Sequence, residues 1–398
     1  MLIALRLRHV RVLTDPASVP DRGAAGYPPH MRRFTVLAVA LLLAGCGGQA
    51  DQPNGSSSSA SSSGAAPATG AAPATTTGLL PPGVPTEGSR PPADALPPPA
   101  EPQQAPAPSG PVPGMQVPVG AAPEGIVADA QTRTVAVAKR NPNELVLINA
   151  DTGVVTGRTP LPGVVRHLQL ARPGGPVLVP VESANALVRV DLPGGRAEPQ
   201  VITGTVPHDA SEAPNGTVFV ANEHGGTVAA VRGDQVVKVF TDSVQPAGLA
   251  PVGNRMGLLD VRKNDLTVYD ADALSIVGST PAGDGPTHLV ADRHGRLIAA
   301  DTRGDAVRVF STEPRQLAEV AQPGGPYGIA YDPTRDQLWV ASSGTNEVIG
   351  YDMATERPRE VKRVATVQNP YTVAVDELTG RLFVAGVTAG VVQMVDPT

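Results

Sequence analysis

The stretch GPYGIAYDPTRDQLWVASSGTNEVIGYD, residues 325–352, contains three short apolar runs separated by two polar turns. Runs rich in Val, Leu, Ile and aromatic residues, bounded by Gly, Pro, Asn and Asp, are typical of β-strands. The stretch lacks the sustained i, i+3, i+4 spacing of apolar residues that an amphipathic helix requires. It therefore predicts an antiparallel meander of three strands joined by short turns.

The same pattern occurs seven times at intervals of about forty residues. The equivalent positions are Gly125, His167, Asp209, Gly248, His288, Gly328 and Thr372. A fourth strand fits after each third strand, as at residues 235–241, 317–321 and 361–367. Four antiparallel strands repeated with this period are typical of one blade of a β-propeller.

The last copy has only three strands and ends at residues 391–395. Residues 115–119 (MQVPV), just before the first copy, can supply the missing outer strand and so remove an open sheet edge. We therefore predict an all-β, seven-bladed propeller of four-stranded antiparallel blades over residues 113–398, with its ring closed by an N-terminal strand. An open β-solenoid or a β-sandwich is the alternative.

The front of the chain has the features of an export signal. Met31, Arg32 and Arg33 precede an apolar run over residues 34–43, and small residues then lead to Cys46, the only cysteine. This pattern predicts a signal peptide over residues 31–45, because the run is too short to span a bilayer comfortably. The end of the run resembles a bacterial lipobox, and the resemblance implies lipidation of Cys46. An ordinary secretory cleavage that leaves Cys46 as a free thiol is the alternative.

Two further segments flank this signal. Residues 1–30 contain Asp15, Pro16 and Pro20, which are unusual in a signal n-region, so we predict that translation begins at Met31 and that 1–30 is a mis-assigned extension. Residues 46–112 consist mainly of Ser, Ala, Pro, Gly and Thr, which bury too little apolar surface to offset the entropy of ordering. We predict that 46–112 is a disordered tether and that the protein is extracytoplasmic, held at the bacterial cell membrane by its N-terminal lipid.

Charge and composition exclude one class of partner. The formal net charge is −6, and no basic tail is present, so nucleic acid is not an expected partner. Aromatic residues make up only 3% of the chain. The core of the propeller must therefore consist mainly of Val, Leu, Ile and Ala.

Two sets of loops are expected to converge around one mouth of the central channel. The first set is the turn that begins each inner strand, and the second is the loop between the second and third strands. The predicted ligand-binding residues in these loops are Glu124, Arg166, His167, His208, Asp209, His224, Thr287, His288, Tyr327 and Tyr371. Other polar residues of the second set are Lys139, Arg140, Glu182, Asn222, Glu223, Arg262, Lys263, Asp301, Arg303, Ser342 and Ser343.

Three interpretations of this mouth remain open. Imidazole and carboxylate groups suit Zn, Mn or Fe, so a divalent metal is one option, although the sequence predicts no cofactor by itself. An acid/base pair is another, with His208, His288, Glu124 and Glu223 as the catalytic candidates. HExxH and GxSxG motifs are absent from the sequence, and polar residues at a solvated mouth need no function.

The repeat resembles the YVTN-type β-propeller family. The matching features are a P-x-G-I/V-A-x-D opening, a G-x-L-x-V-A second strand and a third strand ending in Asp, best seen at residues 286–310, 325–352 and 370–396. Blades two to four depart from the pattern at Pro180 and at residues 212–214 (EAP). The repeat is shared loosely with streptogramin lyases, lactonase-type propellers and NHL repeats. The resemblance implies a propeller in a secreted or cell-surface setting and specifies no reaction.

These observations favour a lipid-anchored cell-surface binding protein whose channel mouth recognises a protein, a glycan or a small ligand. The alternative is a metal-assisted hydrolase or lyase of the propeller-lactonase or streptogramin-lyase type. A scaffold subunit that uses the rim of the propeller for contacts is a third interpretation.

Overall fold

A computed structural model of the protein describes residues 83–90 and 92–397. It contains seven sheets, one for each blade that the repeat predicts. Blades 1 to 6 each have four consecutive antiparallel strands, and blade 7 combines three such strands with one from before blade 1. Each inner strand contacts the inner strand of the next blade, and that of blade 7 contacts that of blade 1. The sheets therefore form a closed seven-bladed propeller, which confirms the predicted fold.

The strands occupy equivalent positions in successive blades, numbered 1 to 7 along the chain. The inner strands are Ile126–Asp129, Gln169–Leu170, Pro207–Glu212, Pro246–Val252, Pro286–Ala291, Pro326–Asp332 and Pro370–Val375. The second strands are Thr134–Lys139, Val177–Val181, Val218–Asn222, Arg255–Asp260, Leu297–Asp301, Gln337–Ser342 and Leu382–Gly386. The third strands are Glu144–Asn149, Ala186–Val190, Thr227–Arg232, Asp265–Asp270, Ala306–Ser311, Glu347–Asp352 and Val391–Val395. The outer strands are Val155–Pro160, Val201–Ile202, Gln235–Phe240, Ser275–Pro281, Arg315–Ala321, Arg359–Ala365 and, for blade 7, Met115–Pro118.

Only one helix, the single 3₁₀ turn Glu182–Ala184 in blade 2, occurs within the described residues. Among those same residues, no helix is long and apolar enough to cross a membrane.

Ring closure follows the predicted route. Met115–Pro118 pairs antiparallel with Val391–Val395, so the outer strand of blade 7 comes from the N-terminal side of blade 1. Val117 is the one buried residue of this strand and packs with Phe383 and Val392. The first and last strands of the ring therefore share one sheet, and the third strand of blade 7 is paired on both of its edges.

The core lies between neighbouring blades. The second and third strands are almost wholly buried, which explains why they are continuous apolar runs. Ile298 and Val307 of blade 5, for example, form one cluster with Leu338, Ile349 and Tyr351 of blade 6. Because each cluster joins two blades, burial of apolar side chains also holds the ring together.

The segment before the closing strand differs from the prediction. Residues 83–90 and 92–112 fall within the predicted disordered tether, yet they lie along the propeller. Thr86–Glu87 adds a parallel fifth strand to blade 3, outside Gln235–Phe240. Glu87 also forms an ion pair with Lys238 of that strand, at 2.8 Å.

Residues 92–112, which we name the strap, continue over blades 4 to 7. Arg262 donates hydrogen bonds to the carbonyl oxygens of Ala93 and Leu96, at 3.1 and 3.2 Å. Asn346 donates to the carbonyl oxygen of Pro106 at 2.8 Å. Amino-acid composition does not predict this contact, because the strap has few large apolar side chains to bury. The strap is held instead by donors in the loops of the propeller, which bond to its backbone carbonyl oxygens.

The remaining predictions for the front of the chain lie outside the described residues. They are the extension 1–30, the signal peptide 31–45, lipidation of Cys46 and the first part of the tether, residues 46–82.

Candidate functional site: a charged mouth and a row of rings

Three glycines allow neighbouring inner strands to approach closely where these strands begin. Gly125 and Gly248 lie so close to the backbone around His167 and His288 that an added Cβ would come within about 3.1 Å of it. Gly328 has the same relation to the backbone of Thr372. A blade with glycine at this position therefore precedes a blade with His or Thr there, and the absence of a Cβ lets the two inner strands approach closely.

The two sets of loops meet, as their positions predict. Arg140, in the loop after the second strand of blade 1, forms an ion pair with Glu124, in the turn before the inner strand. Arg166 and Glu182 have the same relation in blade 2, where the guanidinium Nε lies 2.9 Å from Glu182 Oε1. The mouth is therefore lined by charged side chains from both sets of loops.

Four of these side chains form one network across blades 2 and 3. Arg166 Nη2 lies 3.2 Å from Glu223 Oε2, which connects the two blades. His208 Nδ1 lies 3.2 Å from Glu182 Oε1 and 3.5 Å from Glu223 Oε2. Gln245 of the next turn donates to the other oxygen of Glu223 at 2.9 Å. We name Arg166, Glu182, His208 and Glu223 the mouth network.

The charges of the mouth network stabilise one another. Burial by itself would raise the pKa of Glu182, but the hydrogen bond from His208 and the charge of Arg166 lower it to about 2. The pKa of Glu223 is lowered for related reasons, because His208, Gln245 and Arg166 outweigh its burial. Burial disfavours the charged imidazole, yet the two carboxylates raise the pKa of His208. At a pH equal to the ordinary pKa of imidazole, the mouth network therefore consists of two carboxylates, one guanidinium and one imidazolium.

Glu124 sits in a different environment from the mouth network. Its carboxylate is buried, and burial raises its pKa even though Arg140 and Arg166 act in the opposite direction. Its backbone carbonyl accepts a hydrogen bond from the hydroxyl of Thr372, which joins blade 1 to blade 7.

Five aromatic and imidazole rings form a continuous row behind the mouth. The centroids of His208 and His167 are 4.6 Å apart, and those of His167 and His288 are 4.4 Å apart. Tyr327 follows at 4.3 Å from His288, and Tyr371 at 5.7 Å from Tyr327. The sequence left open whether histidines from blades 2, 3 and 5 converge; they do, because seven inner strands begin at the same height around a narrow axis. We name these five side chains the ring row.

Two histidines of the ring row are held in the neutral form. Burial lowers the pKa of His167 well below its ordinary value, and the neighbouring His288 and His208 lower it further. Burial likewise lowers the pKa of His288 to about 3, helped by the charges of His208 and Arg166. The ring row thus joins a charged imidazole at the mouth to neutral imidazoles deeper in the channel.

Asp209 uses its oxygens to hold blades together. It accepts hydrogen bonds from the side chain of Gln169 in blade 2 and from the backbone N–H of Leu249 in blade 4, at 2.8 to 3.0 Å. The N–H of Ala210 is a further donor, at 2.8 Å. Burial raises the pKa of Asp209 to about 6. Its acceptors are thus already in use within the fold.

The other predicted site residues take several positions. The Thr287 hydroxyl pairs with that of Thr302 at 2.7 Å and is buried. The Tyr371 hydroxyl accepts a hydrogen bond from Gln104 of the strap. The His224 side chain is 62% exposed and reaches to 4.0 Å from Glu223. Thr287 is therefore used within the fold, Tyr371 ends the ring row beside the strap, and His224 lies at the mouth.

A polar cavity of about 550 Å³ lies at the mouth. Arg140, Arg166, Glu182, Glu223 and His224 line it from the propeller. Gln245 completes that side, and Pro99 and Glu101 of the strap form another side. The repeat could not indicate the strap residues, because they belong to neither set of loops. Gln245 was missed although it lies in the turn before the inner strand of blade 4. We name this space the mouth cavity.

The mouth network contains a set of donors that suits a divalent metal. Single ligand atoms of Glu182, His208 and Glu223 all lie within 4.8 Å of one another. One imidazole and two carboxylates fit Zn or Mn. Arg166 opposes metal binding, because its guanidinium bonds to both of these carboxylates. A metal would require Arg166 to move away from the two carboxylates. It would also require His208 to lose its proton, although the carboxylates stabilise the protonated imidazole.

No family model and no curated protein matches the sequence. Solved structures do match, including a streptogramin B lyase with a TM-score of 0.61 and 14% identity, over 71% of this chain and 97% of that chain. A catalytically inactive virginiamycin B lyase from Staphylococcus aureus, solved with quinupristin, has a TM-score of 0.58 and 18% identity, over 70% and 97%. Hydrazine synthase from Kuenenia stuttgartiensis has a TM-score of 0.61 and 16% identity, over 73% and 99%. At these identities the likeness shows the seven-bladed propeller fold alone, and the YVTN-type assignment stays a prediction.

Proposed function

We propose that this chain is a lipid-anchored cell-surface protein whose propeller binds a small zwitterionic ligand in the mouth cavity. The export signal and Cys46 in the sequence support the anchor. Pro99 and Glu101 of the strap line the mouth cavity, so the segment just before the closing strand contributes to the proposed binding site.

One observation carries the binding proposal: side chains of both charges line a single polar cavity. Arg140 and Arg166 have side chains that are 33% and 25% exposed, and Glu182 is 16% exposed. Each charge is held by a partner in the fold, so the cavity offers fixed positive and negative groups without reorganisation. A ligand that carries an ammonium and a carboxylate matches this arrangement better than an ion of one sign.

Binding of free dipeptides to the purified protein tests this proposal. At about ten times Kd, a bound dipeptide is expected to raise the free energy of unfolding by about 1.4 kcal/mol. Calorimetric titration and thermal unfolding measure the two quantities. Glu182→Gln is expected to weaken binding about tenfold, because the charge facing the ammonium is removed.

Two controls define the chemistry of the ligand. N-acetylated dipeptide amides have the same side chains without terminal charges and are expected not to bind. Glu313→Gln changes an exposed carboxylate in the turn between the third and outer strands of blade 5, and it should leave dipeptide binding unchanged. Equal binding of the capped and free dipeptides, or no binding of either, would contradict the zwitterionic class.

The second candidate function is a metal-assisted hydrolase or lyase, favoured by the donor set Glu182, His208 and Glu223. These residues would hold the metal, which would supply Lewis-acid activation of a carbonyl or of water. Glu124 lies nearby with a raised pKa, which suits a proton donor or acceptor. The remaining candidate, His288, lies in the ring row behind the mouth.

Metal analysis of protein purified without chelator separates the two functions. The binding proposal predicts much less than one equivalent of Zn or Mn, because Arg166 occupies the carboxylates. A full equivalent that is lost in His208→Ala, and kept in the control His294→Ala, would instead support the metal-assisted enzyme. His294 is a suitable control because it pairs with Asp336 of blade 6 at 2.9 Å, outside the mouth network. Quinupristin would then be the first substrate to assay.

A further inference from the structure

The central channel contains a second cavity, at the end where the inner strands finish. Its volume is about 570 Å³, and its rim includes Asp292, Arg293 and Glu377, which follow the inner strands of blades 5 and 7. His167 and His288 of the ring row line its inner end. Arg166, Glu182 and Glu223 of the mouth network line the mouth cavity and do not line this second space. We name this second space the exit cavity.

The wall of the exit cavity is mainly aliphatic. Residues from all seven blades line it, and six of the blades contribute aliphatic residues, among them Ile126, Leu170, Leu249, Leu289, Ile329 and Val373. Each inner strand pairs on one side only, so its other edge also presents backbone N–H and C=O groups to the channel. The wall therefore suits a molecule that combines an apolar body with hydrogen-bonding groups. The volume lies within the range of small-molecule sites.

His288 at the inner end has no hydrogen-bond partner in the part of the chain that the structure describes. The residue is 6% exposed, and both of its ring nitrogens are buried. A buried polar group without a partner is costly, so such a group points to a bound molecule or to water. A neutral imidazole offers one N–H donor and one nitrogen acceptor. Its complement is a group that both accepts and donates, such as a hydroxyl or an amide.

The charges around the exit cavity disfavour an ionised ligand. Asp209 lies beside the inner end, with its nearer oxygen 3.9 Å from His167 Nδ1, and would repel an anion. Its oxygens are used by Gln169, Ala210 and Leu249, so they offer little to a cation. At the rim, Arg293 already binds Asp336 and the carbonyl oxygen of Pro333.

We propose that the exit cavity binds an uncharged small molecule with an apolar body and one hydroxyl or amide group, which bonds to His288. This site is separate from the mouth cavity and does not depend on the function proposed for it. The apolar body contacts the aliphatic wall, and burial of that area supplies most of the affinity. The hydrogen bond to His288 supplies the preference for a polar head.

Fluorine NMR of p-fluorophenol and fluorobenzene tests this site. The two probes have the same body, and only the first has a hydroxyl. The unaltered protein is expected to bind p-fluorophenol about five- to tenfold more tightly than fluorobenzene, which is the effect of one net hydrogen bond. His288→Leu is expected to remove this difference, since leucine can neither donate nor accept.

A second variant keeps the test valid if His288→Leu fails to fold. Ala291→Phe places a large ring at the end of the inner strand of blade 5, where Ala291 lines the cavity, and should weaken both probes at least tenfold. Ala354→Phe adds the same ring at an exposed turn of blade 6 and is expected to change neither.

Three results would overturn the proposal. They are equal binding of the two probes to the unaltered protein, binding that Ala291→Phe leaves unchanged, and no binding of either probe at millimolar concentration. The last result would mean that the exit cavity holds only water and that His288 bonds to that water.

Discussion

Val117→Asp is expected to lower the free energy of unfolding of the propeller by about 4 to 5 kcal/mol. Val117 is 5% exposed, and it is the residue by which the closing strand enters the core between blades 7 and 1. The substitution removes a buried apolar side chain, which costs about 2 kcal/mol, and forces a carboxylate into an apolar cluster or out of the strand. Because small domains have only about 5 to 15 kcal/mol of stability, the melting temperature should fall sharply.

Urea unfolding of Val117→Asp and of a variant at the neighbouring residue shows whether burial of Val117 is the cause of the lost stability. Gln116→Asp places the same carboxylate one residue earlier in the closing strand, on its exposed face, and should change stability by less than about 1 kcal/mol. If Val117→Asp were as stable as Gln116→Asp, the closing strand would contribute little to the ring. The observed pairing of Met115–Pro118 would then not be the contact that holds blade 7 to blade 1.

Arg166→Met is expected to lower the free energy of unfolding by about 2 to 3 kcal/mol near neutral pH. Arg166 bonds to both carboxylates of the mouth network, and its removal leaves Glu182 and Glu223 without a guanidinium partner, with His208 as their nearest imidazole. Breaking a buried pair costs about 3 to 5 kcal/mol. The figure is reduced here because the Arg166 side chain is a quarter exposed. Chemical unfolding with a matched variant measures this loss.

The sign of the pH dependence follows from Glu182. Its pKa falls from 4.5 to about 2 on folding, so its contribution to stability is complete above about pH 5 and is lost as the pH falls toward about 2. Without Arg166, the pKa of Glu182 rises toward its ordinary value. The deficit of Arg166→Met relative to the unaltered protein should therefore be largest above about pH 5 and shrink as the solution is acidified.

Arg196→Met is the control for this prediction. Arg196 pairs with Asp191 through side chains that are 76% and 36% exposed, so the same substitution should cost less than about 1 kcal/mol. A deficit of Arg166→Met that does not change between about pH 3 and 7 would show that lost packing, and not the ion pairs, determines its effect.

The sequence determined the architecture of the propeller. Strand periodicity and turn residues are local properties, and they recur seven times, so the number of blades follows from counting. The closing strand followed as well, because an incomplete last blade and an unassigned strand before the first blade complement each other. The positions around the mouth were also predictable, since a rigid blade places equivalent loops at the same end. The ion pair between Glu124 and Arg140 forms for this reason.

Only the tertiary structure decided what these side chains do. The repeat does not specify the side-chain conformations that place the ring centroids of His167 and His288 4.4 Å apart. It also does not specify that the mouth cavity and the exit cavity are separate spaces. It also cannot show that Asp209 uses its oxygens across three blades. The strap was missed because its order depends on donors such as Arg262, far away in sequence, and not on its own composition. Local pattern fixes a repeating backbone, whereas contacts between distant segments decide which polar groups remain free for a ligand.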